Sequence, residues 1–276
     1  MTLNITLGLM EQIGDLAKRA GVEIMKFHDT NVTVSTKYDS SPVTEADLAA
    51  EKLITEAILK DITDAFPVIG EEAVAQGRAP AIDDGPFWLV DALDGTKEFI
   101  KNGTDFTVNI ALVENAKPVL GVVHAPALNA TYWGSVYGAF AETDGHAPRQ
   151  VACRRPASDG LTAVVSKSHR TPQESEYLAR FKIKKEVSAG SSLKFGMIAT
   201  GHADLYPRMG RTMEWDTAAG HAVVIAAGGA VKDLQGAPLR YGKPGFENPS
   251  FVVTGMEPRT DVSAAASPRQ SRTKPN

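Results

Sequence analysis

Two aspartates three residues apart, followed by glycine and threonine, are the feature of the sequence most suggestive of chemistry. The hexapeptide DALDGT (residues 91–96) follows an apolar run at residues 87–90, which predicts a strand that stops at Asp91 and gives way to a short helix. Around such a turn the carboxylates of Asp91 and Asp94, with the Leu93 carbonyl, can converge on one cation. The amides of the following glycine and threonine, at a helix N-terminus, favour an anion. Cation ligands beside an anion site suit phosphate chemistry on Mg²⁺, although Asp94 could instead only cap the helix.

Three other segments contain acids that could join this site. Glu71 and Glu72 follow an apolar pair, and because adjacent side chains point in different directions, only one of them is expected to enter a site; the alternative is a solvated loop. Asp216 precedes a run of small residues and is predicted to be a helix N-cap. Thr44 and Asp47 resemble a capping box, with Asp where Glu or Gln is usual.

The elements that must position these acids follow from the hydrophobic pattern. Apolar residues at helical spacing predict amphipathic helices over residues 9–27 and 46–58, the second with Thr44 as its N-cap. The middle of the chain changes to segments rich in β-branched and aromatic residues with turn residues between them. These segments predict consecutive strands of an antiparallel or mixed sheet, at 107–113, 118–125 and 131–141.

The second half of the chain alternates predicted strands and helices, which favours an α/β arrangement. The polar stretch 142–160 predicts a domain boundary, giving an α+β domain with the metal site over residues 1–150 and an α/β domain over 151–256. Residues 257–276 contain few bulky apolar side chains and are predicted to form a disordered tail. The predicted strands are 161–166, 183–187, 203–206, 230–233 and 251–254, and the predicted helices are 172–180, 191–200 and 217–227.

Composition excludes several classes of protein. With 276 residues, 43% hydrophobic and 22% charged, the chain is neither fibrous, disordered nor a coiled coil. The net charge of −4 gives no support to a uniformly basic nucleic-acid-binding face. No apolar run reaches the roughly 18 residues of a membrane span, and no basic segment precedes an apolar core at the N-terminus. A lone cysteine, Cys153, fits a reducing compartment, and a cytoplasmic location is predicted.

Taken together and in order, the motifs resemble those of the inositol monophosphatase superfamily of Mg²⁺-dependent, lithium-sensitive phosphatases. The family pattern runs T-x-A-D, G-E-E, D-P-[IL]-D-G-T and W-D-x-A-A, and it is matched at residues 44–47, 70–72, 91–96 and 215–219. The resemblance covers about residues 8–256. It departs at Ala92, where proline is usual; since that side chain is not a ligand, looser turn geometry is the most that we expect.

The resemblance implies an α/β fold, a layered αβαβα sandwich of the sugar-phosphatase type, with an α+β first half and an α/β second half that closes over the substrate. It also implies two or three Mg²⁺ ions, which would offset the repulsion of the gathered carboxylates. Thr96, oriented by Asp47, would position or deprotonate the attacking water, and Gly95 with Thr96 would hold the phosphate. The implied metal ligands are Glu71, Asp91, the Leu93 carbonyl, Asp94 and Asp216.

Further stretches, at 166–170, 190–195, 205–208 and 216–223, resemble the 3′(2′),5′-bisphosphate nucleotidase branch. Members of that branch convert adenosine 3′,5′-bisphosphate, a product of sulfate-activation chemistry, into AMP. A second phosphate requires fixed cationic donors away from the metals. The resemblance assigns it to His169, Ser191, Lys194 and Arg208. In the simpler alternatives Lys194 is a solvated charge, His169 a surface residue, and Arg208 the partner of a structural acid.

The sequence therefore predicts a Mg²⁺-dependent phosphatase that removes the 3′-phosphate of adenosine 3′,5′-bisphosphate. One alternative is an inositol-1-phosphate or broad-specificity sugar phosphatase, and another is an inactive nucleotide-binding regulatory protein. Acids at all five expected positions argue against inactivity. The expected partner is a phosphorylated small molecule rather than nucleic acid or a membrane, and the resemblance allows a homodimer.

Overall fold

The computed structural model describes residues 3–30, 34–36, 42–143, 145–168 and 170–256. His169 and the predicted tail at 257–276 lie outside the described residues. The described α-helices are α1 (Leu7–Met25), α2 (Glu45–Ala57), α3 (Glu71–Ala75), α4 (Thr96–Ile100), α5 (Pro172–Leu178), α6 (Leu193–Ala199) and α7 (Ala218–Ala226). The described strands are β1 (Val34–Thr36), β2 (Pro42–Thr44), β3 (Val68–Gly70), β4 (Phe87–Asp94), β5 (Thr107–Glu114), β6 (Lys117–Ala125), β7 (Ala130–Ser135), β8 (Gly138–Glu142), β9 (Arg149–Val151), β10 (Leu161–Ser166), β11 (Ile183–Ala189), β12 (Leu205–Arg208), β13 (Ala230–Asp233) and β14 (Phe251–Thr254).

The strands form two large sheets and one short hairpin. Seven strands follow one another in chain order, β3-β4-β5-β6-β7-β8-β9, and all neighbours except the parallel pair β3 and β4 are antiparallel. Five strands form the second sheet in the order β11-β10-β12-β14-β13, with parallel pairing on both sides of β10 and antiparallel pairing elsewhere. The hairpin joins β1 to β2. The predicted mixed sheet in the first half is confirmed.

Helices α1 and α2 cover one face of the seven-stranded sheet. The buried residues of α1 recur at helical spacing, and its N-terminus is capped by Thr6, whose Oγ1 accepts the amide of Leu9 at 3.1 Å. Because side chains alternate along a strand, Trp88 and Val90 of β4 join the core under these helices, while Leu89 joins the core on the opposite face. Both faces of this sheet are therefore buried.

Helices α6 and α7 fill the space between the two sheets. Helix α7 approaches the first sheet so closely that a Cβ on Gly121 would lie 2.4 Å from the Ala219 carbonyl oxygen, and one on Gly134 would lie 2.4 Å from the Val223 Cα. The close approach of α7 to this sheet therefore requires glycine at both strand positions.

Helix α5 covers the outer face of the five-stranded sheet. Its Leu178 packs with Ala163, Val165, Leu205 and Val252, which are strand residues pointing away from α6 and α7. The layers therefore run helix, sheet, helix, sheet, helix, and the predicted αβαβα sandwich is confirmed. Among the residues that the structure describes, no helix combines the length and the apolarity of a membrane span.

Two predicted elements and one predicted cap differ from the structure. The N-cap of α7 is Thr217 and not Asp216, whose Oδ2 accepts the amide of Met213 at 2.8 Å. The segment predicted as one strand at 131–141 is the hairpin of β7 and β8, which turns through Val136 and Tyr137 and into Gly138 at a φ of 100°. The strand predicted to stop at Asp91 continues to Asp94. The stretch predicted as a domain boundary contains β9, which pairs with β8 in the first sheet, and the division at residue 150 stays a prediction.

Candidate active site

A β-bulge at the end of β4 brings its two aspartates to the same cavity. Asp91 pairs with Asn109 on β5 and Asp94 pairs with Thr107, so three steps along β4 face two steps along β5. In a regular strand residues three apart point to opposite faces, and the extra residue corrects this alternation. Both aspartates consequently line one cavity of about 520 Å³. Asp94 is not the N-cap of the following helix, since that position is held by Gly95.

Three carboxylates from three different elements meet in this cavity. Ligand atoms of Glu71 at the start of α3, Asp91 on β4 and Asp216 just before α7 all lie within 4.8 Å of one another. Asp91 is 3% exposed, and its Oδ1 accepts the amide of Leu93 at 3.0 Å. Burial, together with the charges of Asp94 and Glu71, raises the pKa of the Asp216 carboxyl well above its ordinary value. Such a cluster favours a positive charge among its oxygens.

A fourth acid, Asp94, faces a loop of the second half of the chain. Its Oδ2 accepts the hydroxyl of Ser191 at 2.6 Å and that of Ser192 at 3.0 Å. Ser192 Oγ also lies 2.7 Å from the Asp216 carbonyl oxygen and accepts the side-chain amide of Asn109 at 3.0 Å. Ser192 and Asn109 therefore connect the segments that carry the acids. Sequence reasoning missed both residues. Ser192 lies in the stretch 190–195 that resembles the nucleotidase branch, whereas nothing in the sequence singles out Asn109.

Gly95 and Thr96 turn the chain from β4 into α4 beside these acids. Gly95 adopts a φ of 97°, which favours glycine, and a Cβ there would lie 2.9 Å from the Asp105 carbonyl oxygen. Thr96 Oγ1 lies 3.2 Å from Asp47 Oδ1 and 3.1 Å from the carbonyl oxygen of Leu93. The structure thus brings Asp47 and Thr96 together, as the resemblance implies.

Helix α2 fixes the carboxylate of Asp47. The Oδ2 atom of Asp47 accepts the amide of Thr44 at 2.8 Å and its hydroxyl at 2.6 Å, and the predicted capping box is confirmed. Asp47 is 3% exposed. One residue therefore stabilises the N-terminus of α2 with one carboxylate oxygen and reaches Thr96 with the other.

The donor set of this cluster fits a divalent cation. Its donors are carboxylate oxygens, with the Leu93 carbonyl lining the same cavity, and hard cations such as Mg²⁺ bind oxygen ligands. Among the residues that the structure describes, the cluster contains neither histidine nor cysteine, the nitrogen and sulfur donors that are typical of zinc sites. Four gathered acids repel one another, and a bound cation compensates that repulsion.

Lys194 and Arg208 line the same cavity as the acids. Lys194 is 5% exposed, so it is not a solvated surface charge. Its Nζ donates to the carbonyl oxygens of Ser191 and Ala189 and lies 5.4 Å from the Tyr206 ring centroid. Burial lowers the pKa of Lys194 to about 8, against the opposing effect of the Asp94 charge.

Arg208 is 8% exposed and is held by neutral groups. Its Nη1 donates to Ser166 Oγ at 3.0 Å and its Nη2 to the Arg211 carbonyl oxygen at 3.1 Å. Within the described part of the chain Arg208 forms no salt bridge, and its buried Nε has no hydrogen-bond partner. A buried guanidinium without a carboxylate partner is suited to bind an anion, so the alternative of a structural ion pair is not supported.

Ser191, the third described residue assigned to a second phosphate, adopts a φ of 52°, which is uncommon for a residue other than glycine. Its hydroxyl lies 2.5 Å from that of Thr107, in addition to its contact with Asp94. His169 is outside the described residues. Further residues that line the cavity and that sequence reasoning did not assign include Lys97, Glu98, Lys167, Ser168 and Tyr206.

Comparison with known proteins gives consistent matches. A family model described as the inositol monophosphatase family matches residues 9–270. The 3′(2′),5′-bisphosphate nucleotidase CysQ of Salmonella typhimurium is 45% identical over 254 residues, which cover 89% of this chain and 99% of that protein. The CysQ protein of Escherichia coli K12 is 44% identical over 250 residues, with the same two coverages.

Solved structures show the same fold. CysQ from Bacteroides thetaiotaomicron, described as a bacterial member of the inositol monophosphatase family, superposes with a TM-score of 0.73 at 37% identity. That match covers 87% of this chain and 94% of the other. The Thermotoga maritima IMPase also has a TM-score of 0.73, at 25% identity, over 90% of this chain and 92% of the other.

Proposed function

The chain belongs to the inositol monophosphatase family, and we propose that it is a Mg²⁺-dependent 3′(2′),5′-bisphosphate nucleotidase that converts adenosine 3′,5′-bisphosphate into AMP and phosphate. The observation that carries this proposal is the pairing, within one cavity, of an acidic cluster with the buried cations Lys194 and Arg208. The relatives named CysQ support the nucleotide substrate. An inositol-1-phosphate phosphatase is the second candidate, because the acidic cluster alone would serve it.

The proposed metal ligands are Glu71, Asp91, Asp94, Asp216 and the Leu93 carbonyl, with two or three ions. Bound there, Mg²⁺ would polarise the scissile phosphate and lower the pKa of a water molecule. Gly95 and Thr96, which line the cavity at the start of α4, are the residues proposed to hold that phosphate through their backbone amides.

Thr96 and Asp47 form the proposed proton path. Thr96 Oγ1 is 3.2 Å from Asp47 Oδ1, so as the hydroxyl of Thr96 accepts a proton from the attacking water it can pass its own to that carboxylate. Asp47 keeps its orientation because Thr44 holds the other oxygen. The water oxygen forms the new bond to phosphorus, and the ester bond to the 3′-oxygen breaks. The leaving oxygen takes up a proton from solvent, and Asp47 returns its proton to solvent.

Lys194 and Arg208 supply the proposed specificity. A charge-assisted contact to phosphate contributes about 1.5–3 kcal/mol, or roughly ten- to a hundredfold in kcat/KM. We therefore expect Lys194→Ala and Arg208→Ala each to reduce kcat/KM for adenosine 3′,5′-bisphosphate by about that factor, while hydrolysis of inositol-1-phosphate changes little. Steady-state kinetics on both substrates measures the effect.

Arg211→Ala is the matched control for these two variants. Arg211 also lines the cavity, but its side chain is 56% exposed and pairs with Glu247 at 3.2 Å. We expect kcat/KM for both substrates to change little in this variant. Equal losses on both substrates from Lys194→Ala and Arg208→Ala would favour the inositol-phosphatase alternative.

The lowered pKa of Lys194, about 8, predicts a pH dependence that is specific to the bisphosphate. Since kcat/KM reports the free enzyme, kcat/KM for adenosine 3′,5′-bisphosphate should fall as the pH rises through about 8, where Lys194 loses its charge. Groups at the metal site affect both substrates alike, so the ratio of kcat/KM for the bisphosphate to that for inositol-1-phosphate isolates Lys194. A ratio that stays constant, or a decline that persists in Lys194→Ala, would contradict this assignment.

The remaining proposals concern the setting of the enzyme. A cytoplasmic location is supported by a single cysteine, Cys153, which is buried and free. A homodimer remains a proposal that sedimentation equilibrium would test directly.

A further inference from the structure

We infer that Glu51, a residue of α2 outside the metal cluster, is a positioning residue that fixes the metal ligand Glu71. This inference rests on the proposed metal site. Glu51 follows Asp47 by one helical turn, so both side chains lie on the same face of α2. Both are buried, with 6% of Glu51 and 3% of Asp47 exposed. One helix face thus carries two buried carboxylates, of which Asp47 reaches Thr96.

The carboxylate of Glu51 binds the backbone where α3 begins. Its Oε2 accepts the amide of Glu72 at 2.7 Å and its Oε1 accepts the amide of Ala73 at 2.8 Å. Glu71 is the first residue of α3 and immediately precedes these two amides. Because charge-assisted hydrogen bonds are short and strong, two of them on successive residues restrict the direction in which the Glu71 side chain leaves the helix.

Gly70 provides independent evidence for this contact. Its φ is −97°, so its backbone conformation does not require glycine. A Cβ at this position, however, would lie 2.3 Å from the Glu51 Cδ, 2.5 Å from Oε1 and 2.6 Å from Oε2. The glycine of the G-E-E motif is therefore explained by the close approach of the Glu51 carboxylate to the backbone beside Glu71.

The position of Glu71 matters because its carboxylate must meet those of Asp91 and Asp216 from a different element. Glu71 sits on a helix of five residues, which has little rigidity of its own. Groups that orient metal ligands typically account for 10–100-fold in metal affinity. The role of Glu51 is thus to hold α3 so that the cluster closes around a cation.

The test measures Mn²⁺ binding to the full chain and to its Glu51→Gln variant. Electron paramagnetic resonance of the free ion gives the dissociation constant. The amide keeps the size of the side chain but can accept only one of the two backbone hydrogen bonds. We expect the dissociation constant for Mn²⁺ to rise by about 10–100-fold. We also expect kcat at saturating Mg²⁺ to recover to within a few-fold of the wild type, with little change in KM for the nucleotide.

Gly70→Ala is the second variant, because its methyl group displaces the Glu51 carboxylate without altering any proposed ligand. It should weaken Mn²⁺ binding in the same way. Asp204→Asn is the matched control: Asp204 is a buried carboxylate that accepts the Thr162 amide at 2.7 Å and binds Arg154. Its loss should lower the melting temperature without changing Mn²⁺ affinity.

Three outcomes contradict the inference. Wild-type affinity for Mn²⁺ in either folded variant, Glu51→Gln or Gly70→Ala, would remove Glu51 from this role. So would an equal loss of affinity in Asp204→Asn, because it would show that general destabilisation is sufficient. A wild-type protein that binds no Mn²⁺ would instead overturn the proposed metal site, and with it this inference.

Discussion

Asp91→Asn should reduce turnover severely and, in the absence of metal, make the protein more stable. Asparagine keeps the size of the side chain and its Oδ1 can still accept the amide of Leu93. The substitution removes one of three carboxylates whose oxygens lie within 4.8 Å of one another, and relief of that repulsion favours the folded state. The neutral amide is a poor ligand for a cation, so we expect kcat to fall by about three orders of magnitude, which is about 4 kcal/mol in activation free energy.

Thermal melting in a chelator and phosphate release in Mg²⁺ measure the two effects. Asp94→Asn should lose as much activity but gain less stability, because Asp94 Oδ2 accepts hydroxyl groups of Ser191 and Ser192. Asp15→Asn is the control, because the Asp15 side chain is 76% exposed and its ion pair with Lys18 is long, at 4.0 Å. Neither the melting temperature nor the turnover should change in this variant. Near-normal turnover in folded Asp91→Asn would return this residue to a structural role.

Removal of divalent metal should have an effect of similar size. Five acidic side chains line the cavity, four of them proposed metal ligands, and without a cation they repel the phosphate of the substrate. We expect exhaustive chelation to reduce activity by about three orders of magnitude and added Mg²⁺ to restore it. Ca²⁺ should inhibit, because it accepts the same oxygens but relaxes the octahedral geometry that Mg²⁺ demands.

Metal binding should also increase the stability of the folded protein. A ligand at 100 times its dissociation constant stabilises the folded state by about 2.7 kcal/mol, so Mg²⁺ should raise the melting temperature. Asp91→Asn should show a smaller rise than the wild type. Full activity after chelation, confirmed by metal analysis, would remove metal chemistry from the proposed mechanism.

The layers of the fold could be predicted because the sequence patterns that indicate them lie within single segments or within the family motifs. The periodicity of α1 and the small residues of α7 are visible in single segments, and the capping box that orients Asp47 is read from two residues three apart. The acids of the cluster were likewise identified in order. The alternation of predicted strands and helices placed the second half in the α/β class. It did not predict that β14 pairs antiparallel with both of its neighbours.

The features that were missed depend on partners distant in the sequence. The bulge between Asp91 and Asp94 exists only relative to β5, whose Asn109 and Thr107 set the register. Without that partner, two acids three residues apart suggest a turn. The contact of Glu51 with the amides of Glu72 and Ala73 spans 21 and 22 residues, and a buried glutamate on a helix gives no sequence signal for it.

The most direct test of the proposed function is phosphate release by the purified protein from a panel of substrates in Mg²⁺. The panel contains adenosine 3′,5′-bisphosphate, its 2′,5′ isomer, the 3′-phosphosulfate analogue, inositol-1-phosphate and fructose-1,6-bisphosphate. We predict that kcat/KM is highest for adenosine 3′,5′-bisphosphate, that AMP and phosphate form in equal amounts, and that chelation stops the reaction. A higher kcat/KM for inositol-1-phosphate, or no phosphate release from the bisphosphate, would contradict the proposed function.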